Sequence, residues 1–273
     1  MRLGRIPWIN AYPVYGAIDR GLVSVPAELV SGTASELNDL LAAGELDVSA
    51  VSAVEYARNA AAYHLLPDLA ISCDGPVHSV ALFSRRPVEE LDGRTVLLSA
   101  SSRTSVLLLH LLCRHRWKVA PRFATVRAEA TDLAGLGGFP HEAVLVIGDA
   151  ALMLASLGAY PIRVDLGAAW KEWTGLPFVF AVWAARRVVD PVAVRRGHES
   201  LLASRAWGLS HLELLAADAA VATGVSLDAC REYLGGLDYA FTYKHLAGLT
   251  DFFRRLAKEG IVPDGSLQFV QVA

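Results

Sequence analysis

Five hydroxyls and one guanidinium crowd into seven residues at Ser99-Ala100-Ser101-Ser102-Arg103-Thr104-Ser105. The segment follows an apolar run, Thr95 to Leu98, and opens another, Val106 to Cys113, so it reads as a strand end feeding a helix N-terminus. Free backbone N–H groups, the positive end of the helix dipole and hydroxyl donors converge there, which makes a receptor for an anion. No glycine-rich turn accompanies it, so a carboxylate fits better than a pyrophosphate.

Other small, polar segments stand in the same relation to predicted strands. In Trp8-Ile9-Asn10-Ala11-Tyr12-Pro13, Asn10 lies between a strand end and a helix with Pro13 in its first turn, where it either caps the helix or faces a ligand. Ser52 follows the run Val48 to Val51 and precedes Glu55 by three, a capping-box spacing; Thr33 and Glu36 repeat it. In Ile147-Gly148-Asp149, Gly148 lets backbone approach a ligand, and Asp149 is either an N-cap or a ligand contact. Trp170 and Trp173 at i,i+3 suit core packing, while Thr174 and Gly175 beside them would also suit a ring-shaped ligand at a cleft mouth.

Several chemistries are absent. The sequence has no GxGxxG after a strand, no GxxxxGK[ST], no HExxH, no GxSxG and no CxxC, so nucleotide phosphate chemistry and zinc hydrolysis lose ground. His110 and His115 are five apart, on different helix faces, and with Arg114 and Arg116 read as a solvated surface. Cys73, Cys113 and Cys230 are odd in number and scattered, which predicts neither a disulfide framework nor a metal site.

The elements that must position these residues alternate short β-like and helix-length runs up to about residue 185, an α/β pattern with mainly parallel sheet. Predicted strands are 3–6, 27–30, 48–51, 77–83, 95–98, 123–126, 143–147 and 178–183, and after residue 190 apolar residues recur at helical spacing. A length of 273 residues favours two lobes. Gly and Pro in Cys73-Asp74-Gly75-Pro76 and in Thr174-Gly175-Leu176-Pro177 mark crossings between them. Lobe I is then 1–80 plus 185–273 and lobe II is 81–184, the plan of a hinged binding protein with its cleft between the lobes. Apolar residues at 53% provide a core, and a net charge of −3 argues against nucleic acid as a partner. The apolar stretches are too short to span a membrane, and the first eight residues lack a secretory h-region, so a cytoplasmic location is expected.

Taken in order, Ile9-Asn10-Ala11-Tyr12-Pro13, Ser52 to Tyr56, Cys73 to Ser79, Ser101 to Ser105, Ile147 to Ala150 and Trp170 to Phe180 resemble the chorismate dehydratase family of menaquinone biosynthesis, which opens the futalosine route. The resemblance spans about residues 1 to 187; the helical tail matches only in character. One departure is that Ala11 and Tyr12 stand where the family commonly has a second polar or thiol residue and Leu.

The resemblance implies a two-lobed fold similar to type II periplasmic binding proteins, used as a lyase with no metal or organic cofactor. Its small-molecule substrate would be chorismate, dehydrated to 3-[(1-carboxyvinyl)oxy]benzoate. Ser101, Ser102, Arg103 and Thr104 would hold one carboxylate with Ser79 as a further donor, and Asn10 would hydrogen-bond the reacting edge. Ser52, Gly148, Asp149, Thr174 and Gly175 complete the expected binding set. Neither His78 nor Glu55 stands out as a base, so the enolpyruvyl carboxylate of the substrate is a candidate. Two rivals share the architecture: the sister enzyme that cleaves a cyclic futalosine to a dihydroxynaphthoate, and a non-catalytic carboxylate-binding protein.

Overall fold

A computed structural model describes residues 1–129, 131–265 and 267–271. Two five-stranded sheets organise them. In the first, β1 (Arg2–Arg5), β2 (Glu28–Ser31), β3 (Val48–Ser52), β4 (Tyr63–Cys73) and β10 (Phe178–Arg186) lie in the order β2-β1-β3-β10-β4. In the second, β5 (Val80–Ser84), β6 (Thr95–Ser99), β7 (Arg122–Val126), β8 (Ala143–Ile147) and β9 (Ile162–Asp165) lie in the order β7-β6-β8-β5-β9. The two orders are the same pattern, each with one strand received from across the molecule as its fourth member.

Those received strands correct the expectation of mainly parallel sheet. β1 runs parallel to β2 and β3, and β6 to β7 and β8, but β10 and β5 run antiparallel to both their neighbours. Each enters its sheet directly from the opposite half without a helical crossover, so it arrives in the reverse direction. β10 pairs with β3 and β4 of the first sheet, so 178–184 lies with that sheet and not with lobe II, where the boundary of the sequence reading at 184 put it, although the crossing marked at 174–177 precedes it directly. Two strands escaped that reading. β4 carries Pro67-Asp68, which looks like a turn; the strand lies at the sheet edge, where Pro is tolerated, and Asp68 takes φ +58° beside a register shift. β9 has only four residues.

Asp165, at the end of β9, ties the crossings together. Its carboxylate accepts the N–H groups of Val77 (3.0 Å) and His78 (2.7 Å) in the first crossing. It also caps α6 (Leu166–Thr174), which leads into the second, by accepting from Ala168 N (3.0 Å). This one carboxylate thus braces both crossings, with His78 held at φ +60°, a conformation non-glycine residues rarely adopt.

Helices cover both sheets. Thr33 and Glu36 form the expected capping box on α2 (Ala34–Ala43). The tail is helical as expected, with α7 (Pro191–Ser210), α8 (Leu212–Thr223), α9 (Leu227–Gly236) and α10 (Tyr243–Lys258). α7 packs on α1 (Tyr12–Asp19) so closely that a Cβ at Gly208 would lie 2.1 Å from Pro13 O. Trp170 is fully buried against Phe178 and Phe252, and Trp173 is half-buried, packed edge-on against Trp170 with the Arg255 guanidinium over its ring. Among the described residues no helix is long and apolar enough to cross a membrane.

Candidate functional site

The carboxyl ends of β1, β3, β6 and β8 face one cleft between the sheets, the place where open α/β sheets bind ligands. Its walls are apolar, from Ile6, Trp8, Ile71, Val77, Ile147 and Phe180, and its polar groups are Asn10, Ser52, Ser79 and Ser101 to Ser105. Eight of the expected residues line it: Asn10, Ser52, Ser79, Ser101, Ser102, Arg103, Thr104 and Gly148.

The hydroxyls share one wiring. Ser52 Oγ accepts from Glu55 N (3.2 Å) and Asn38 Nδ2 (3.3 Å), and Ser79 Oγ from Tyr233 OH (2.9 Å). Ser102 Oγ accepts from Ser105 N (3.1 Å), and Thr104 Oγ1 from Val54 N (3.1 Å) across the cleft. Burial pushes the Tyr233 phenol far above its ordinary range, so it remains a donor. A hydroxyl whose oxygen already accepts from the scaffold has its own proton free to donate. Four such protons, beside the N-terminus of α4 (Thr104–Leu111), make a receptor built from neutral donors.

Asn10 lies in a single 3₁₀ turn, Ile9–Ala11, before α1. Neither that turn nor α1 receives a side-chain cap, so the capping reading of Asn10 fails. Its Oδ1 is buried without a hydrogen-bond partner among the described residues, in the wall of the cleft. Such an orphan acceptor is a place where a ligand donor belongs.

Three expectations need correction. Asp149 neither caps α5 (Asp149–Leu157) nor lines the cleft; its carboxylate accepts from Ile9 N (3.2 Å), the residue before Asn10 in the turn that follows β1. Burial pushes its pKa up to about 6, against the Ile9 N–H and with help from Glu129. Thr174 and Gly175 end α6 instead of lining the cleft: Thr174 Oγ1 donates to Trp170 O (2.9 Å), and Gly175 is the left-handed C-cap at φ +73°. Both belong to the turn that makes the second crossing.

Arg103 lines the cleft with its guanidinium already engaged: Nη1 donates to Glu55 (2.5 Å) and Nη2 to Asp39. Glu55 therefore does not complete a capping box with Ser52. Gly148, at φ +64°, lets the Trp8 ring lie where a Cβ would come within 3.2 Å of it. Sequence reasoning missed Asn38, buried at 1%, which orients Ser52, and Tyr233, which orients Ser79. Both contacts join residues distant in sequence, and only the fold reveals them. No His, Asp or Glu lines the cleft among the described residues.

A family model described as menaquinone biosynthesis matches residues 1–258. A chorismate dehydratase of Thermus thermophilus is 33% identical over 237 residues, covering 81% of this chain and 84% of the relative. A 1,4-dihydroxy-6-naphtoate synthase of the same organism is 28% identical over 218 residues, covering 78% and 76%. Among solved structures, protein AF1704 from Archaeoglobus fulgidus superposes with a TM-score of 0.78 at 19% identity, covering 96% of this chain and 98% of that one. The alkanesulfonate-binding protein SsuA from Xanthomonas axonopodis pv. citri does so at 0.71 and 12%, covering 98% and 95%. The architecture is that of the periplasmic binding proteins.

Proposed function

The chain belongs to the menaquinone biosynthesis family, and from that premise we propose that it is a chorismate dehydratase, a hydro-lyase acting in the cytoplasm on chorismate without a cofactor. The observation that carries the reading is the cleft itself, in which neutral hydroxyl donors and the orphan Asn10 oxygen face apolar walls. The 33% identity to a chorismate dehydratase supports it over the sister activity, whose representative is 28% identical.

Chorismate is a dicarboxylate on a cyclohexadiene ring. Its C3 hydrogen is vinylogous to the ring carboxylate, so removing it as a proton gives an extended dienolate that expels the C4 hydroxyl and becomes aromatic. The C3 and C4 oxygens are trans, which puts the leaving hydrogen and hydroxyl on one face and favours two steps over a concerted anti elimination. The α4 N-terminus with Ser102 and Thr104, joined by Ser52 and Ser79, would hold carboxylate charge through O–H and N–H donors. Asn10 would accept from or donate to the reacting C3–C4 edge.

The base is best sought in the substrate. Glu55 is tied to Arg103 and His78 lies near Glu232 outside the cleft, 3.8 Å from it, so neither reaches the reacting carbon. The enolpyruvyl carboxylate, carried on the C3 oxygen, can take the C3 proton and, as the acid so formed, return it to the departing C4 hydroxyl, which leaves as water. The two halves, hinged at 74–79 and 175–177, would close over the substrate.

Purified protein incubated with chorismate should release 3-[(1-carboxyvinyl)oxy]benzoate and water. Turnover of cyclic dehypoxanthine futalosine instead would assign the sister activity. Binding of chorismate without conversion would leave a carboxylate-binding protein.

A further inference from the structure

We propose that Arg103, Glu55 and Asp39 form a latch that closes the cleft, with Glu55 the residue that positions Arg103. The identity of the ligand rests on the reading above; the latch itself does not. Arg103 begins α4 on the second sheet's side, whereas Asp39 lies in α2 and Glu55 in α3 (Ala53–Arg58), both on the first. One guanidinium thus bridges the halves with two separate N–H groups, Nη1 donating to Glu55 Oε2 (2.5 Å) and Nη2 to Asp39 Oδ1.

Glu55 is built for this task. Its side chain is 3% exposed, and its second oxygen accepts from Asn59 Nδ2 (2.7 Å) and Tyr63 OH (3.5 Å). Each oxygen accepts a hydrogen bond from the scaffold, which fixes the orientation of the carboxylate toward Arg103. A carboxylate this deep needs its cation, because removing one partner strands an uncompensated charge. The α3 and α4 N-termini also meet at this point, where Val54 N donates to Thr104 Oγ1 (3.1 Å). Two positive dipole ends facing each other repel, and Glu55 in the first turn of α3 supplies the anion between them.

The alternative is that Arg103 binds a substrate carboxylate directly, and the two assignments differ in sign. If Glu55 competes with substrate for Arg103, then Glu55→Gln should tighten binding. If Glu55 closes the cleft through Arg103, the same change should weaken it. Loss of one charge-assisted hydrogen bond of this kind corresponds to about a 10- to 150-fold change in affinity.

The test uses Glu55→Gln, Arg103→Gln and the pair, with Asp39→Asn as a variant at an exposed side chain that keeps the buried carboxylate intact. Arg231→Gln, in an exposed ion-pair cluster that does not line the cleft, is the control. Small-angle scattering of the ligand-free proteins should show a larger radius of gyration for Glu55→Gln and Arg103→Gln than for wild type and control. KM for chorismate should rise about 10- to 150-fold, kcat should stay within a few fold, and the pair should be no worse than the worse single change. Asp39→Asn should move both readouts the same way by less. An unchanged radius in all variants, or tighter chorismate binding by Glu55→Gln, overturns the latch. If wild type does not turn over chorismate, the functional reading falls while the scattering arm still decides the latch.

Discussion

Asn10→Ala separates catalysis from stability because the structure gives the side chain no scaffold bond to lose. Its Oδ1 is buried and unpartnered among the described residues, and neither adjoining helical element uses it as a cap. A buried acceptor without a donor costs about 1 to 3 kcal/mol, so its deletion relieves a penalty while losing the contacts of a small amide. The balance is near zero or slightly stabilising. At about 2 to 4 °C per kcal/mol for a chain of this size, Tm should hold or rise by a few degrees. A capping Asn would instead lose about 0.5 to 2 kcal/mol and lower Tm. Turnover follows different arithmetic: one preorganised transition-state hydrogen bond is worth about 2.7 to 4 kcal/mol, or a hundredfold to a thousandfold in kcat. Asn10→Asp is the companion, nearly isosteric but placing an anion beside a dianionic substrate, and should lose at least as much. The assay is chorismate turnover followed by product absorbance, with thermal melts of the same preparations. Near-normal kcat in both variants, or a loss matched by a large fall in Tm, would refute the assignment.

Asp149 binds its proton more tightly folded than unfolded, because its pKa is about 6 against 3.8, so the ionised form opposes folding. Its penalty is absent below about pH 4, grows as pH rises to 6 and is then constant, on the order of 3 kcal/mol. Asp149→Asn keeps an acceptor for Ile9 N and should melt higher than wild type at pH 8 but not at pH 4; the reverse order would contradict this. Gly148→Ala, at φ +64° and against Trp8, should cost about 1 to 3 kcal/mol and lower turnover, whereas Thr174→Ala should leave KM unchanged. A KM effect at Thr174 as large as at Gly148 would return that residue to the cleft. Turnover should survive exhaustive chelation, since no three metal-binding side chains converge among the described residues, and rescue of a chelated enzyme by zinc or magnesium would count against it.

What was legible in the sequence is what depends on neighbours in the chain. Ser99 to Ser105 announces itself because strand, hydroxyls and helix follow one another within a dozen residues, and Gly148 because its strand is an unbroken apolar run. The two crossings showed through Gly and Pro, yet the sheet that receives each strand did not, because an antiparallel insertion leaves the same apolar pattern as a parallel strand buried on both faces. Asp149 and Thr174 misled for a common reason. Their local setting, beside a Gly at a helix end, is the same whether the side chain meets a ligand or the backbone. Only the third dimension shows Asp149 turned toward Ile9 and Thr174 toward Trp170.

The pairing of Arg103 bears on the chemistry as well as on closure. A carboxylate beside a free guanidinium has its pKa lowered by about 1 to 3 units, which makes it a poorer base. With Arg103 committed to Glu55 and Asp39, the cations of the cleft wall are already compensated, and the donors left for substrate are hydroxyls and backbone N–H groups. Such donors fix the position of a dianion while drawing off less of its basicity. On the proposed function, an enolpyruvyl carboxylate held this way would keep the basicity to take the C3 proton, with the apolar walls of Trp8, Ile147 and Phe180 limiting its solvation. Neither latch variant alters the substrate or the hydroxyl donors, so any complex that still forms should react at close to the wild-type rate. A fall in kcat beyond a few fold, appearing in Glu55→Gln but not in Arg103→Gln, would instead mean that the freed Arg103 captures the enolpyruvyl carboxylate, and would count against the latch.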